Sequence, residues 1–270
     1  MSEKDNIELT PAEENPWYVL ATICDKKDKD DNGIIVNGRA IENCEVWNTH
    51  LRHLINETFR ASLIGQDPYI PLFDSPKWDD IKEVVVERFE KRTNGSKLPS
   101  LTDIVDFSNT CFSKKVDFKK FVFFSTANFN GSTFENEVDF EGAFFLNYAN
   151  FYKKTIFQER ANFRDVTFYR NAVFTQAEFH GEAIFGLSVF KDQVDFQNAE
   201  FLGNSNFAKC EFIMPCDFFA ARFHKCYPVF LNTTFHEKIT LSARQNTTEI
   251  TFWPDPQNCE QDPEVAKVTC

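Results

Sequence analysis

Val-Asp-Phe at 116–118, Ala-Asn-Phe at 127–129, Val-Asp-Phe at 138–140 and Ala-Asn-Phe at 149–151 recur with a period of eleven residues. Working outward from this stretch, Phe recurs from Phe107 to Phe235, and these 24 positions take most of the 32 Phe in a chain of 270 residues. The 23 intervals are eleven fives, eleven sixes and one seven, so five and six mostly alternate. One extra residue lies between Phe151 and Phe157, and another near Cys226-Tyr227-Pro228. Two residues before each Phe sits a small side chain: Ala nine times, Val five, Ser three, Thr three and Cys twice, with Phe121 and Pro228 as exceptions. The residue between is Asp, Asn or Glu in twelve of the 24 units.

A small residue, a polar residue and a large apolar one form a period-two stripe, with two side chains inward and one outward. A stripe stepping by five and six drifts around an α-helix of 3.6 residues per turn, which argues against sustained helix. The Asn-Gly and Asp-Gly turns of hairpins are nearly absent, which argues against a meander. A coil that turns a corner after each short strand and stacks on itself satisfies the pattern. Each unit then places one Phe and one small residue in a narrow interior. Burying a Phe contributes about 1.5–3 kcal/mol, so the rings dominate the core.

Ala-Asn-Phe-Asn-Gly-Ser-Thr-Phe (127–134) and Val-Asp-Phe-Gln-Asn-Ala-Glu-Phe (194–201) resemble the pentapeptide-repeat proteins, specifically the Phe-rich branch with alternating five- and six-residue spacing. The resemblance spans residues 105–241. It implies a mainly β fold, a right-handed quadrilateral β-helix of about six coils, with a small α-helical N-terminal domain. Residues 22 apart are then expected to stack, Phe118 on Phe140 and Phe185 on Phe207, in separate columns.

Four regions are expected: a disordered tail (1–14), a helical capping domain (15–98), the β-helix (105–253) and a C-terminal tail (254–270). In the second, Asn15-Pro16-Trp17-Tyr18-Val19-Leu20 supplies an apolar anchor, and 42–60 carry Trp47, Leu51, Leu54, Ile55 and Phe59 at helical spacing. Residues 76–92 read as the clearest helix: Ser75 as cap, Pro76 first, Asp79 and Asp80 in the first turn, Lys91 and Arg92 in the last, Asn94-Gly95 as the stop. Trp78, Ile81, Val85 and Phe89 give it one apolar face. A cap is required, because a solenoid's terminal coil exposes apolar surface and unpaired strand edges. At the other end Leu241 takes a Phe position and 247–253 read as a last strand, which leaves an apolar end around Phe230, Phe235 and Trp253.

The formal charge is −12. Residues 1–104 hold 20 acids and 13 bases, whereas 105–241 hold 16 and 14, so the repeat is only −2. Direct nucleic-acid binding needs a basic footprint that is missing. No apolar run reaches the roughly 18 residues of a spanning helix. The acidic start Met1-Ser2-Glu3-Lys4-Asp5 is unlike a secretory signal, and the eight Cys contain no Cys-x-x-Cys, so a cytoplasmic chain with free thiols is expected.

Candidate chemistry yields to simpler readings. Asp28, Asp30, Asn32 and Gly33 match the start of an EF-hand loop, but Arg39 stands where the closing Glu belongs. Cys210, Cys216, His224 and Cys226 suggest zinc, yet Cys210 and Cys216 take the small inward position, where a thiol packs as a small hydrophobe. His50 and His53 are three apart on a helix, with no third ligand at a suitable spacing. The acids before Phe, such as Asp117, Asp139 and Asp195, recur with the coil and read as outward or corner-bonding residues. No catalytic, cofactor or metal residue is nominated. The expected role is a non-enzymatic scaffold for a protein partner, with a two-fold dimer through the C-terminal coil. The alternatives are an acidic DNA mimic that binds a type II topoisomerase, and a ligand-sensing, metal-sensing or enzymatic N-terminal domain that uses the rod to oligomerise.

Overall fold

The computed structural model describes residues 8–26, 33–36, 38–55, 76–100, 104–226, 228–236, 241–245 and 248–252. Nearly every repeat unit is a two-residue strand, and the strands stack in four parallel ladders visited in turn. Ladder A runs from Val105–Asp106 to Cys216–Asp217, and ladder B includes Thr110–Phe112 to Ala221–Phe223. Ladder C runs from Val116–Asp117 to Ser205–Asn206 with a bridge to Val229, and ladder D from Val122–Phe123 to Thr234–Phe235. The result is a mainly β solenoid of about six turns with a few helices at its N-terminal end.

The repeat Phe residues form four columns inside. Neighbouring rings are near-parallel, with centroids from 4.4 Å for Phe112–Phe134 to 5.2 Å for Phe207–Phe230. The columns of ladders A and C interlock edge to face across the interior, as in Phe129–Phe140 (5.6 Å, 87°) and Phe174–Phe185 (5.4 Å, 86°). Both geometries suit aromatic quadrupoles, which disfavour an exact face-to-face overlap.

Alternation of five and six reflects two kinds of corner. After each Phe of ladders A and C the chain passes through a residue of positive φ, among them Asn109, Lys120, Gly131, Asp165, Leu187 and Asn198. A hydrogen bond closes the turn, such as Ala143 N–H to the Phe140 carbonyl at 2.9 Å or Ala177 N–H to Phe174 at 2.9 Å. Such a tight turn saves one residue compared with the corners after ladders B and D. Asp and Asn explain why the chain accepts it. Asp106, Asp117, Asn128, Asp139, Asn162, Asp195, Asn206 and Asp217 all precede these corners, and each side chain accepts from the N–H two residues on, at 2.7–3.3 Å. This is the local bond that makes Asx residues turn formers.

The extra residue before Phe157 is absorbed in one such corner, where Lys153 and Lys154 both have positive φ (57° and 60°). Every column therefore steps by 23 here, and the columns of ladders C and D do so again at Phe207–Phe230 and Phe212–Phe235. Phe140 stacks on Phe163, and Phe163 on Phe185. Phe118, Phe140, Phe185 and Phe207 consequently share one column, contrary to the strict 22-residue expectation.

Among the described residues three α-helices close the N-terminal end: α1 (Pro16–Ala21), α2 (Asn43–Leu54) and α3 (Trp78–Arg92). Asn15 caps α1 through its side chain, and Glu42 with Glu45 forms a capping box on α2. α3 starts at Trp78 with Lys77 as N-cap, two residues later than expected, and buries Trp78, Ile81, Val85 and Phe89. It ends where Asn94 and Gly95 take positive φ and Gly95 N–H returns to the Glu90 carbonyl at 2.8 Å. Residues 10–14 are not the tail they were expected to be. Thr10–Pro11 pairs in parallel with Thr110 and Cys111, and Ala12–Glu14 forms a 3-10 turn, because the first strand of ladder B needs a partner below it. At the far end Leu241–Gln245 extends ladder B and pairs antiparallel with Thr248–Phe252, so the expected last strand is half of a hairpin. Phe59, Ser75, Trp253 and the 254–270 tail lie outside the described residues.

Candidate functional site

Inside the solenoid most of the described polar side chains are spent on the backbone. Five of the small inward residues that carry a donor spend it on a Phe carbonyl of the coil below, whereas Thr110 Oγ1 donates to the Ser108 carbonyl at 3.3 Å and Ser205 Oγ is buried with no partner among the described residues. Thr155 Oγ1 donates to Phe129 at 2.8 Å, Ser188 Oγ to Phe163 at 2.5 Å, Thr233 Oγ1 to Phe207 at 2.6 Å and Ser132 Oγ to Phe107. Cys210 Sγ does the same toward Phe185 at 2.9 Å. Burial raises its pKa to about 12 and pushes that of Cys216 up as well. His224 and Cys226 lie on the outside, His224 Nε2 3.3 Å from Glu200 and Cys226 Sγ 3.5 Å from Asn204. The wall of the coil therefore separates the two pairs. Among the described residues no three His, Cys, Asp or Glu side chains are grouped to hold a metal. The acidic loop residues Asp28, Asp30 and Asn32 lie outside the described residues.

What the fold presents is its outer surface. Opposite charges pair from coil to coil: Lys115 with Glu137 (2.8 Å), Lys119 with Asp139 (3.1 Å), Arg160 with Glu182 (3.8 Å) and Arg222 with Glu200 (2.8 Å). Lys115 holds the Glu137 carboxyl below its usual range, and Asp139 raises the Lys119 ammonium. Between residues 133 and 204, ladder B with the corner after it carries Glu135, Glu137, Glu159, Glu178, Glu182 and Glu200 beside Arg160, with Lys115 and Arg222 of the flanking coils pairing Glu137 and Glu200. A shallow depression on ladder A is lined by Asn171, Gln193, Asp195, Gln197 and Asp217. Its carboxylates are committed: Asp195 accepts from Gln197 N–H at 2.7 Å, and Asp217 from Phe219 N–H at 2.7 Å and Gln197 Nε2 at 2.8 Å.

The N-terminal cap meets the first coil through an apolar contact. Trp47 packs on Phe121 (5.2 Å), Phe123 (5.6 Å) and Trp17 (5.5 Å). Its Nε1 donates to the Val122 carbonyl at 3.0 Å. Asn48 imitates a missing strand: Nδ2 donates to the Lys120 carbonyl and Oδ1 accepts from Val122 N–H, both at 2.9 Å. Asn15 Nδ2 likewise donates to the Asp106 carbonyl at 2.8 Å. Sequence reasoning missed both asparagines, since the edge each one satisfies lies 72 to 91 residues away.

Residues 152–200 match the family model described as Pentapeptide repeats (9 copies). No curated protein and no solved structure matches the chain. Residues 152–200 thus carry pentapeptide repeats, and the Phe ladders continue the same β-solenoid on both sides of them. None of its described helices is long and apolar enough to cross a membrane.

Proposed function

From a pentapeptide-repeat β-solenoid whose interior is filled by stacked Phe rings, we propose a non-catalytic scaffold that docks a protein partner on its outer ladders, in the cytoplasm. The observation that carries this reading is the division of labour across the wall: the Phe rings with Cys210 and Cys216 turn inward to the fold, while the outside carries regularly spaced charges. The carboxylate-rich strip of ladder B is the docking surface. Reversal of Glu137, Glu159 and Glu182 to Lys, in the full chain, is expected to abolish co-purification of the partner from the native host and to leave the melting temperature unchanged. Retention of the same partner by the triple variant would refute the assignment.

Two other readings fare worse. A DNA mimic needs carboxylates free to stand for phosphates, and here several are neutralised by lysine or arginine on the neighbouring coil. A sensing or enzymatic N-terminal domain would place a polar pocket against the first coil, where Trp47 instead packs on Phe121 and Phe123. At the opposite end, we propose that the last coil pairs with a second copy, because a terminal coil with unpaired edges is costly to leave in water.

A further inference from the structure

The middle of α2 has a structural task at nearly every residue. Trp47 and Asn48 hold the edge of ladder D, Leu51 is buried, and Thr49 Oγ1 and Arg52 Nη2 both donate to the Pro76 carbonyl, at 3.2 and 3.1 Å. His50 lies among them with 4% of its surface exposed. Its Nε2 is 2.8 Å from the Pro99 carbonyl, which can only accept, so Nε2 carries the proton. Its Nδ1 is buried with no hydrogen-bond partner among the described residues. The Trp78 ring stands 4.9 Å away. A neutral imidazole fits this site, with one donor used and one lone pair left dry. An imidazolium does not, because its second N–H would be a buried donor without an acceptor and its charge would lose solvent.

Among the described residues no charge near the ring offsets that cost. On α2 the titratable neighbour is His53, stacked on the same Trp78 at 5.7 Å, and its electrostatic interaction with His50 disfavours a charge there. From α3 the facing group is the Trp78 ring, and Asp79 and Asp80 of its first turn are exposed to water. The segment after α3 contributes the uncharged Pro99 carbonyl. Burial holds the His50 pKa below the ordinary value; the Pro99 carbonyl opposes this and His53 adds to it.

We propose that His50 is an acid-sensitive latch, whose protonation releases α2 from the first coil and uncovers the ladder D edge at Lys120 and Val122. With α2 released, His50 is solvated and titrates near about 6.5. Between that value and the lower one of the closed state, only the open state binds the proton, so falling pH favours opening, and above about pH 6.5 the latch is indifferent to pH. Opening frees the Lys120 carbonyl and Val122 N–H as a template for another strand.

Hydrogen exchange of the Val122 amide in the full chain tests this, since its acceptor is the Asn48 side chain. Its protection factor is expected to fall by about tenfold from about pH 7.5 to about pH 5. The Phe174 amide, bonded to Asp195 deep in the coils, is expected to keep its protection. His50→Gln keeps a donor for Pro99 but cannot ionise, and should hold Val122 protection constant, whereas His53→Gln should retain the fall. A pH-independent wild type, or the same fall in His50→Gln, overturns the latch. Should His50→Gln fail to fold, NMR titration of the wild-type His50 ring decides: titration at the ordinary value in the folded chain overturns it equally.

Discussion

Cys210 shows how closely one residue can be bound to the repeat. It fills the inward position two before Phe212 and donates to the Phe185 carbonyl, as Ser188 donates to Phe163 and Thr155 to Phe129. Cys210→Ser is therefore expected to preserve stability, while Cys210→Ala loses about 1 kcal/mol in urea unfolding. Both Cys210 and Cys216 are buried, and burial raises both pKa values, so neither thiol should react with a disulfide reagent at about pH 8 until the chain unfolds. Rapid labelling of either in the native protein would contradict the placement. Gly181 illustrates the opposite constraint. A Cβ there would overlap the Glu159 carbonyl group and approach Arg160 N at 2.7 Å, so backbone rather than a flexible side chain would have to yield. Gly181→Ala is expected to cost about 1–3 kcal/mol, read as a lower denaturation midpoint with an unchanged slope.

At the scale of the element, α2 stabilises the solenoid through its edge. Asn48→Ala leaves the Lys120 carbonyl and Val122 N–H without partners, at about 1–3 kcal/mol for each group left dry. The loss should be local: faster amide exchange at 120–123, with the central coils unaffected. Uniformly faster exchange along the solenoid would mean that cap and coils unfold as one unit, against the nearest-neighbour behaviour expected of a repeat protein. The corners follow the same economy of local bonds. Asp or Asn stands before most of the five-residue turns, Val173, Ile184 and Val229 being the exceptions, and Cys111, Thr133, Thr167 and Glu200 stand before six-residue ones; the tight turn brings an N–H within reach of an Asx side chain.

For the whole molecule the open question is what covers the last coil. The hairpin at 241–252 extends ladder B alone, while ladders A, C and D end at Cys216–Asp217, Val229 and Thr234–Phe235 among the described residues. A two-fold dimer through this end should give twice the 31.4 kDa chain mass in light scattering and should dissociate when Phe235 is replaced by Lys. A monomer at every concentration would rule the dimer out. Calcium at millimolar levels should leave the melting temperature unchanged, since Arg39 occupies the closing position of the acidic loop. A melting shift abolished by Asp28→Asn and Asp30→Asn would establish a site there.

The alternation of five and six residues, the small residue two before each Phe and the Asp, Asn or Glu between them in half of the units were enough to fix the coil and its inward face, and the resemblance to the repeat family supplied the number of turns. Each of these patterns is a local rule repeated along the coil, and repetition makes a weak local preference decisive. The helix at 78–92 was legible for the same reason, its apolar face recurring every three to four residues. Tertiary structure alone decided the rest. The extra residue at Lys153–Lys154 put four rings into one column, since a column's register is summed over all the corners before it. Thr10–Pro11, Asn15 and Asn48 became strand and edge caps because unpaired groups distant in sequence required partners. His50 was buried by the meeting of α2, Trp78 and Pro99, three segments that no spacing rule connects.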